Sequence, residues 1–556
     1  MNADDAGSGA VRTIDQRSHR KGPDSPPLPE ETIGANLARV AAAHPDRDAL
    51  VECATGRRWT YREFDAAVCD LARALLAAEV APGDRVGVWA PNCAEWVLVQ
   101  YATARVGAIL VNLNPAYREH EIGFTLKQSG ACLLFTATQV KTSDYVAMVD
   151  AVRPACPDLR DVVYFGTPGW TAFLERGAEV PAEDLAAREA GLSPDDPIDI
   201  QYTSGTTGFP KGATLSHRNV LGNGHQVAEV QGWTHEDRVC LPVPLYHCFG
   251  MVMGNLGATS HGACVVLPGA LFDPADTLRA VAEERCTVLY GVPTMFIAEL
   301  ALLERSDTAY DLSSLRTGVM AGSPCPVEVM KRVIDKMGMA DVTIAYGMTE
   351  TSPVSTQTRR DDSLERRVAT VGRVHPHVEI KVVDPESGET VPTGTPGELC
   401  TRGYSVMLGY WNEPERTAEP VDADGWMHTG DLAQMDSDGY VSIVGRIKDM
   451  VIRGGENVYP REVEEFLHKH PDIEDVQVIG VPDEKYGEEL MAWIRLRPGA
   501  AALDPEAVRE FCQGRLAHYK IPRYVHLVDG FPMTVTGKVR KVEMREQAVE
   551  ILTGRR

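Results

Sequence analysis

The stretch from Thr203 to Gly212 reads TSGTTGFPKG and restricts the fold and chemistry of this chain more than any other. Just before it, the alternating apolar residues between Ile198 and Tyr202 predict a short buried strand. Glycine lets the backbone approach a ligand closely, and successive N–H groups in such a turn form a concave site for anions. The hydroxyl groups and Lys211 add hydrogen-bond donors and a positive charge. The stretch therefore predicts a strand followed by a loop that holds a polyphosphate.

The spacing within this stretch disfavours the common P-loop of kinases and GTPases. That loop requires G-x-x-x-x-G-K-[ST], in which the residue after the lysine binds magnesium. Here Pro210 precedes Lys211, Gly212 follows it, and the second glycine comes two residues too early. The alternative to a phosphate loop is a flexible, solvated connection, which many glycine-rich segments form.

Length and charge limit the functional classes that remain. The chain has 556 residues, which is more than one hydrophobic core usually supports, so two or more domains are expected. Its net charge of −24 argues against a broad basic face for nucleic acid.

Cysteine usage and the N-terminal segment bear on the compartment. The 12 cysteines include no C-x-x-C pair, so metal-finger and disulfide-framework interpretations are weak and reduced thiols in the cytoplasm fit best. No apolar run is long enough to span a bilayer. Residues 1–30 are polar and rich in proline and glycine, lack the apolar core of a secretory signal, and predict a mostly disordered tail.

Hydrophobic periodicity indicates several structural units along the chain. From residue 32 to about 196, amphipathic helices such as 35–43 and 61–76 alternate with short apolar strands, which predicts an α/β layered domain. A second set of this kind runs to about residue 324. From residue 370, alternating strands separated by Pro/Gly turns predict a small antiparallel sheet or barrel. A βα pattern resumes after Lys448 and predicts a separate domain.

Two segments between these units carry side chains suited to a binding site. His247 lies within LPVPLYHCFGM, where a packed core residue and a pocket residue are both open interpretations. In AYGMTET, Tyr346 offers a flat face for stacking, Thr349 a hydroxyl, and Glu350 an oxygen ligand suited to magnesium. Alternatively, the segment is a helix start with Thr349 as its cap.

Two further candidates lie nearer the C-terminus. Asp431, in HTGD, can accept two hydrogen bonds from a ribose diol, or it can satisfy its own turn. Lys538 lies in a Thr/Gly turn, where a solvated surface charge is the structural alternative to a catalytic role.

Taken together, these motifs resemble those of a known superfamily. TSGTTGFPKG, YGMTE, HTGD, GRIKDMVIRGGENVYP and the terminal TGK occur in one order, as in the adenylate-forming (AMP-binding) superfamily of acyl-CoA synthetases, luciferases and nonribosomal adenylation domains. YGMTETSPVSTQT and VIRGGENVYPREVEE are most similar to medium- and long-chain fatty-acyl-CoA ligases.

The resemblance implies an α/β fold. It implies a large N-terminal AMP-binding and acyl-binding domain over residues 31–446, made of two α/β layered subdomains and a small β-barrel. It also implies a small mobile C-terminal α+β domain over residues 447–556, with residues 1–30 left as the disordered tail.

The resemblance also implies roles for the residues that match its motifs. The β- and γ-phosphates of ATP are assigned to Thr203, Ser204, Gly205, Thr206, Thr207, Gly208 and Lys211. Adenine and ribose are assigned to Gly322, Ser323, Pro324, Tyr346, Gly347, Asp431 and Arg446. The catalytic residues are Lys538, Thr349 at the α-phosphate, Glu350 as magnesium ligand, and His247 near the acyl carboxylate. The hinge and the coenzyme A side are assigned to Lys448, where many members have Asp, and to Gly454, Gly455 and Glu456.

The activity that the resemblance implies is that of an acid–thiol ligase with ATP, Mg²⁺ and coenzyme A. A carboxylic acid, expected to be a medium- or long-chain fatty acid, becomes an acyl-adenylate with release of pyrophosphate and then an acyl-CoA with release of AMP. Phe249, Val252, Gly322 and Met348 are expected to line an apolar tunnel. The alternatives are an aromatic or biosynthetic acid, loading of a carrier protein, or a non-catalytic nucleotide-binding homologue. Peripheral membrane contact and a homodimer stay open.

Overall fold

The computed structural model describes residues 17–203, 210–305, 309–323, 325–454, 456–500, 503–533 and 539–554. Its strands fall into four larger sheets and one short hairpin. The described strands are β1 (His19–Lys21), β2 (Asp48–Glu52), β3 (Arg57–Thr60), β4 (Arg85–Trp89), β5 (Ile109–Asn112), β6 (Ala131–Thr136), β7 (Gln139–Val140), β8 (Ser143–Asp144), β9 (Asp161–Tyr164), β10 (Pro197–Thr203), β11 (Lys211–Ser216), β12 (Arg238–Cys240), β13 (Cys264–Leu267), β14 (Val288–Gly291), β15 (Thr317–Ala321), β16 (Asp341–Gly347), β17 (Val354–Gln357), β18 (Arg373–Val374), β19 (Val378–Val383), β20 (Gly397–Gly403), β21 (Gly409–Tyr410), β22 (Met427–Met435), β23 (Val441–Arg446), β24 (Val451–Arg453), β25 (Glu456–Val458), β26 (Ile473–Asp483), β27 (Gly487–Leu496) and β28 (Tyr524–Leu527).

Helices connect most of these strands. The described α-helices are α1 (Ile33–Ala43), α2 (Tyr61–Ala77), α3 (Ala94–Val106), α4 (Glu119–Ser129), α5 (Tyr145–Val152), α6 (Pro168–Glu175), α7 (Ala182–Ala190), α8 (His217–Val230), α9 (Gly257–Ser260), α10 (Pro274–Glu284), α11 (Pro293–Arg305), α12 (Val327–Met337), α13 (Leu364–Ala369), α14 (Pro414–Ala418), α15 (Pro460–Leu467), α16 (Pro505–Cys512) and α17 (Lys541–Leu552). A π-helix, Phe249–Leu256, leads directly into α9. Helices α1 and α2 confirm the predictions over 35–43 and 61–76 to within two residues.

The first sheet carries the glycine-rich stretch. Its seven described strands have the order β21-β11-β10-β5-β4-β6-β9, in which β10, β5, β4, β6 and β9 are parallel. Strands β10 and β11 form an antiparallel hairpin at one side. In β10, Ile198 and Ile200 are buried as the alternation predicts, but Asp199 and Gln201 on the opposite face are buried as well.

The second sheet has nine described strands in the order β18-β17-β16-β15-β14-β12-β13-β2-β3. Its central strands are parallel, and the outer pairs β16–β17, β17–β18 and β2–β3 are antiparallel. Two mainly parallel sheets with interspersed helices confirm the expected pair of α/β subdomains. Ligands of open α/β sheets bind beyond the carboxyl ends of such strands.

Helix α3 is buried over its whole length, which agrees with its being apolar on nearly every side. It shares one core with Val86 of the first sheet and with Val265 and Val288 of the second. Its one buried cation, Arg105, forms ion pairs with Asp65 and Glu189. A charge inside a core requires such partners, because an unpaired buried charge costs several kcal/mol, about 3–5 by mutation of one partner.

The third sheet is antiparallel, with the order β1-β19-β20-β22-β23. Residues 17–30 are ordered, contrary to the expectation of a disordered tail over residues 1–30, because β1 pairs with β19 and Ser18 is buried. Backbone hydrogen bonds to an available sheet edge order this polar segment, although it has few apolar side chains to bury. The described strands leave β1 and β23 as opposite edges, so this unit is an open sheet rather than the expected barrel.

Strands β24 to β28 form a fourth sheet. The two hydrophobic clusters that cover it contain only residues from Val451 onward, including Leu490, Trp493 and Met544. A separate domain after residue 446 should have its own hydrophobic core, and a core confined to the C-terminal segment agrees with this expectation.

All 12 cysteines lie in described residues, are unpaired and are at least partly buried. None of the described helices combines the length and apolar composition needed to cross a membrane.

Candidate active site

The β10–β11 hairpin presents the glycine-rich stretch at the end of the first sheet. Thr203 and Lys211 are opposite each other as the last described pair of the hairpin. The predicted phosphate ligands Ser204, Gly205, Thr206, Thr207 and Gly208 lie between them, outside the described residues.

Lys211 is fixed at the base of this hairpin by two groups. Its Nζ lies 4.8 Å from the centre of the Tyr410 ring and 3.9 Å from a carboxylate oxygen of Glu419. Strand β21, which carries Tyr410, pairs with β11, so the aromatic ring and the lysine are held by neighbouring strands. The ammonium group is thereby kept near the glycine-rich loop.

Glu350 lies beside the same hairpin. It belongs to a short 3₁₀ helix, Thr349–Thr351, and is only 6% exposed. Tyr410 donates a hydrogen bond from its hydroxyl to Glu350 Oε1 at 2.8 Å, and Thr203 Oγ1 lies 3.5 Å from the same oxygen. Burial, followed by the negative charge of Glu350, raises the pKa of Tyr410 and keeps its phenol protonated as a donor.

Thr349 does not cap this helix, contrary to the structural alternative, because Met348 is the N-cap residue. Burial raises the pKa of the Cys248 thiol, and a hydrogen bond with Thr349 acts against this rise. Because Cys248 directly follows His247, this contact brings the predicted α-phosphate residue close to the predicted carboxylate residue.

A second set of polar contacts in the site is formed by Tyr346, Asp431 and Arg446. The Tyr346 hydroxyl donates to Asp431 Oδ2 at 2.7 Å, and Arg446 Nε lies 2.8 Å from Asp431 Oδ1. Asp431 is 8% exposed, whereas the Arg446 side chain is 67% exposed. Burial and the nearby negative charge of Asp431 raise the pKa of Tyr346, and Asp431 raises the pKa of Arg446.

The turn after β15 lies next to Tyr346. Strands β15 and β16 are parallel, with Ala321 opposite Ala345, so Gly322 and Ser323 follow β15 at the level of Tyr346, near the end of β16. Gly322 has φ +89°, a conformation that favours glycine. Pro324 lies outside the described residues.

Gly347 permits a close backbone approach in this region. A Cβ added there would lie 1.7 Å from the carbonyl oxygen of Pro353. Any side chain at this position would therefore displace the segment that follows Glu350.

His247 precedes the π-helix and is partly buried. Its Nδ1 accepts a hydrogen bond from the backbone N–H of Phe249 at 3.3 Å. A neutral ring with Nδ1 as acceptor carries its proton on Nε2, so it presents a donor. π-Helical segments occur frequently at functional sites.

The apolar positions around His247 form a packed wall. Phe249 and Val252 are buried on the π-helix, and the Phe249 ring lies 5.4 Å from that of Tyr290. Two surface clefts, one near Asp70 and Leu185 and the other near Arg57 and Thr167, contain none of the predicted site residues. The predicted tunnel from Phe249, Val252, Gly322 and Met348 therefore stays a prediction.

The C-terminal candidates that the structure describes lie on two elements. Lys448 lies in a 3₁₀ helix, Ile447–Asp449, whose Asp449 forms an ion pair of 2.5 Å with Arg545. Gly454, with φ +61°, and Glu456 are exposed at the β24–β25 hairpin. Gly455 and Lys538 lie outside the described residues.

Arg453, which precedes this hairpin tip, has a different role from its neighbours. Its guanidinium pairs with the fully buried Glu489 through two hydrogen bonds, at 2.5 and 2.8 Å. The side chain thus anchors the hairpin to β27.

Sequence reasoning missed Tyr410, Glu419 and Glu398. Glu398 Oε1 accepts from the backbone N–H of Gly430 at 3.0 Å, and its Oε2 lies 2.8 Å from His428 Nδ1, so it supports the loop that carries Asp431. The only local signal was a tyrosine next to glycine in GYWNEPERT and a glutamate after glycine in GEL.

Comparison with known proteins places this geometry in a family. Residues 37–411 match the model of the AMP-binding enzyme family, and residues 462–538 match that of the AMP-binding enzyme C-terminal domain. The chain is 48% identical over 543 residues to the putative acyl-CoA synthetase YngI of Bacillus subtilis (strain 168), covering 94% of this chain and 98% of that protein. It is 44% identical to the mitochondrial medium-chain acyl-CoA ligase ACSF2 of Danio rerio, covering 95% and 90%.

Solved structures show the same fold. ATP-bound MatB from Rhodopseudomonas palustris has a TM-score of 0.80 at 30% identity, covering 93% of this chain and 99% of that one. The anthranilate CoA ligase AuaEII in complex with anthranoyl-AMP has a TM-score of 0.83 at 28% identity, covering 94% and 98%.

Proposed function

Because this chain belongs to the AMP-binding enzyme family, we propose that it is an AMP-forming acid–thiol ligase that makes acyl-CoA. An oxygen of the acid attacks the α-phosphorus of ATP and pyrophosphate leaves. The thiol of coenzyme A then loses its proton and attacks the acyl carbon, and AMP leaves. The observation that carries this proposal is the buried carboxylate of Glu350, held by Tyr410 beside the phosphate hairpin.

Nucleotide binding is proposed for the Tyr346–Asp431–Arg446 group. Asp431 is fixed by a phenol on one side and a guanidinium on the other, so its carboxylate is oriented before a ribose diol arrives. The Gly322–Ser323 turn beside Tyr346 suits adenine, because a residue without Cβ leaves room for a flat ring. These contacts would place the α-phosphate near Thr349.

Phosphate binding is proposed for Thr203, residues 204–208 and Lys211. The triphosphate brings several negative charges, which repel the attacking carboxylate. Lys211, held above the Tyr410 ring, offsets part of this charge.

The residues present fit a magnesium ion, because Glu350 supplies a buried carboxylate and Thr203 a hydroxyl at the base of the phosphate loop. Mg²⁺ is usually coordinated by hard oxygen ligands of this kind together with substrate phosphates. When bound, the ion would neutralise phosphate charge. Tyr410 would hold Glu350 in its ligand orientation.

His247 is proposed to hold the acid. With its Nδ1 occupied by the Phe249 N–H, the neutral ring can donate from Nε2 to a carboxylate oxygen. The adjacent contact between Cys248 and Thr349 supports this placement, because it brings the acid and the α-phosphate to one region.

The C-terminal segment is proposed to act in both steps. Lys538 would stabilise the charge that develops during adenylation. The C-terminal segment would then rotate about Lys448. This rotation would remove Lys538 from the active site and bring in the hairpin tip at Gly454, Gly455 and Glu456, next to which the thiol of coenzyme A approaches. Such hinge closure also protects the acyl-adenylate from water. The buried Arg453–Glu489 pair would keep the tip rigid as it moves.

The proposed substrate is a medium- or long-chain fatty acid. Phe249, Val252 and the neighbouring Tyr290 form an apolar wall next to His247. Each CH₂ group buried against such a wall contributes about 0.8 kcal/mol, which favours aliphatic chains. Relatives named medium-chain acyl-CoA ligases support the same choice.

An aromatic acid is the second candidate. The tilted Phe249 and Tyr290 rings can also pack against an aromatic ring, and a structural neighbour is named an anthranilate CoA ligase. If the acceptor is the thiol of a carrier protein instead of coenzyme A, the adenylation step is the same and only the second step changes.

We further propose that the enzyme works in the cytoplasm, where its unpaired cysteines would stay reduced. Peripheral contact with membranes would give access to fatty acids that partition into lipid. A homodimer is compatible with this activity but is not required by the site.

The activity is tested by assaying an acid panel for AMP and thioester, with and without coenzyme A. Saturated fatty acids of graded length and anthranilate form the panel. Acid-dependent pyrophosphate exchange into ATP, and thioester only when coenzyme A is present, are expected. Failure of every acid to support exchange would overturn the proposal, and adenylate formation without thioester would point to another acceptor.

A further inference from the structure

Two histidines and a glutamate converge at a place that the reaction does not use. His225 and Glu229 lie four residues apart on α8, and His261 directly follows α9. Glu229 Oε1 lies 3.7 Å from His225 Nε2 and 3.2 Å from His261 Nε2. One ligand atom from each residue lies within 4.8 Å of the others. We call these three residues the His–Glu–His cluster.

The ring of His261 is oriented by groups on its other side. Its Nδ1 lies 3.2 Å from the carbonyl oxygen of Gly257 and 3.0 Å from the hydroxyl of Ser260. When Nδ1–H donates to the carbonyl, Nε2 presents its lone pair towards Glu229. A metal-binding histidine is oriented in this way, with the second nitrogen held by a backbone carbonyl.

This arrangement favours a cation between the two groups. A lone pair and a carboxylate oxygen 3.2 Å apart repel each other unless a proton or metal ion lies between them. The His261 side chain is 8% exposed, so bulk water screens this repulsion poorly. Glu229 is 40% exposed, which leaves one side of the cluster open for an ion to enter.

The charged groups around the cluster also favour the binding of a cation. Arg39 and Glu31 are the further charged groups that act on His225, and they pair with each other at 2.8 Å. Their charges cancel, so Glu229 leaves the cluster with a net negative charge. Two imidazole rings and one carboxylate then face a cation.

We propose that the His–Glu–His cluster binds a divalent transition-metal ion of the Zn²⁺ class, separate from the magnesium of the reaction. Imidazole nitrogen suits zinc and its neighbours, whereas magnesium prefers oxygen ligands throughout. Zinc takes such ligands at about 2.0–2.2 Å in tetrahedral geometry, so two ligand atoms lie about 3.3–3.6 Å apart. The ligand atoms of the cluster lie within 4.8 Å of one another, so their separations need to contract by at most about 1.5 Å, which side-chain rotation can supply.

The bound ion would join α8 to the helix that contains the acyl wall. The π-helix with Phe249 and Val252 continues into α9, which ends at Ser260, directly before His261. Helix α8 already lies against it, since a Cβ on Gly224 would be 2.5 Å from the carbonyl oxygen of Val252. The ion would therefore stabilise the acyl wall without entering the reaction.

The test uses the untagged full-length chain, freed of metal with a chelator and titrated with Co²⁺. Bound Co²⁺ is expected to give a saturable visible absorption band with one ion per chain, displaced by Zn²⁺ but not by excess Mg²⁺. Glu229→Gln and His261→Gln should each lower the Co²⁺ affinity at least about 100-fold, since loss of a mere outer partner costs 10–100-fold. Circular dichroism confirms that each variant is folded.

Two controls make the result specific. His518→Gln changes an exposed histidine and should leave Co²⁺ binding unchanged. His428→Gln tests the second group of potential ligands, Glu398, Cys400 and His428, whose thiolate would add an intense charge-transfer band. The proposal is overturned by the absence of a saturable band, by a band that survives both cluster substitutions, or by a band lost with His428→Gln instead.

Discussion

The hydroxyl of Tyr410 donates a 2.8 Å hydrogen bond to Glu350, a residue 60 positions away in the sequence. The same ring lies 4.8 Å from the ammonium group of Lys211. One aromatic side chain therefore contacts both the proposed magnesium ligand and the proposed phosphate cation. Its position determines how far apart these opposite charges lie.

Replacing Tyr410 by Phe should slow adenylation while keeping the fold. The change removes one hydrogen bond to a buried carboxylate, which is worth about 1.5–3 kcal/mol for a charged acceptor. We expect a fall of roughly tenfold to hundredfold in kcat/KM for acid-dependent pyrophosphate exchange, with a higher requirement for Mg²⁺. Titrating Mg²⁺ at fixed ATP measures this effect.

Tyr404→Phe is the matched control for this substitution. Tyr404 is partly buried, but its hydroxyl accepts a hydrogen bond from Asn223 at 3.5 Å and does not contact the site. Equal Mg²⁺ dependence in both variants would contradict a role for Tyr410 in orienting Glu350.

Asp431→Asn should raise the KM for ATP more than it changes kcat. The amide keeps the size of the side chain but weakens the pair with Arg446 and the acceptor pair for the ribose hydroxyls. A loss of about 1.5–3 kcal/mol corresponds to roughly tenfold to hundredfold in ATP affinity. Isothermal titration with ATP checks this directly.

The control for this change is Asp438→Asn. Asp438 is exposed in a nearby turn and pairs with Arg366. If both variants bind ATP as tightly as the unmodified protein, Asp431 only stabilises the pairing of β22 with β23 and does not bind the nucleotide.

Lys538→Ala should separate the two half-reactions. Removing one charge-stabilising group typically costs about 10²–10³-fold, so pyrophosphate exchange should fall by that amount. Conversion of supplied acyl-adenylate and coenzyme A to thioester should be nearly unchanged. Single-turnover assays of each step provide the measurement.

Lys469→Ala, an exposed lysine on the same C-terminal segment, should affect neither step. Equal losses in both half-reactions of Lys538→Ala would argue against alternate use of the C-terminal segment.

Asp199→Asn should stabilise the protein, and more so at higher pH. Asp199 is buried, and burial raises its pKa from 3.8 to about 8 even though a hydrogen bond with Gln201 acts to lower it. Between these values the native state holds a proton that the unfolded state has released. Stability is therefore lost as pH rises through this window, by about 1.4 kcal/mol per unit for one group.

Asparagine does not titrate, so the stability difference between Asp199→Asn and the unmodified protein should grow from pH 5 to pH 8. Denaturant unfolding at each pH measures it. A difference that does not change with pH would show that Asp199 is ionised in the native state. Asp46→Asn, at an exposed position, is the control for general charge effects.

Local sequence patterns predicted strand β10 and helices α1 and α2, but not strand β11, which follows the glycine-rich stretch. Strand β10 and helices α1 and α2 follow from periodicity and from caps such as Thr32 and Thr60, all of which act within a few residues. The polar composition of β1 did not predict that this segment is ordered as a strand, because it is held by pairing with the edge of β19. Likewise, no pattern in GYWNEPERT indicated that Tyr410 contacts Glu350.

The sequence alone determined the chemistry that is present: a glycine-rich stretch with a lysine, a buried-strand pattern before it, and Tyr, Glu and Asp in recognisable motifs. These depend on composition and short-range spacing, which the chain carries without being folded. Only the tertiary structure decided which of these side chains meet, as in Tyr346 with Asp431 and Lys211 with Tyr410. Such pairs depend on strand order and register, and these are set by burial across the whole sheet rather than by neighbouring residues.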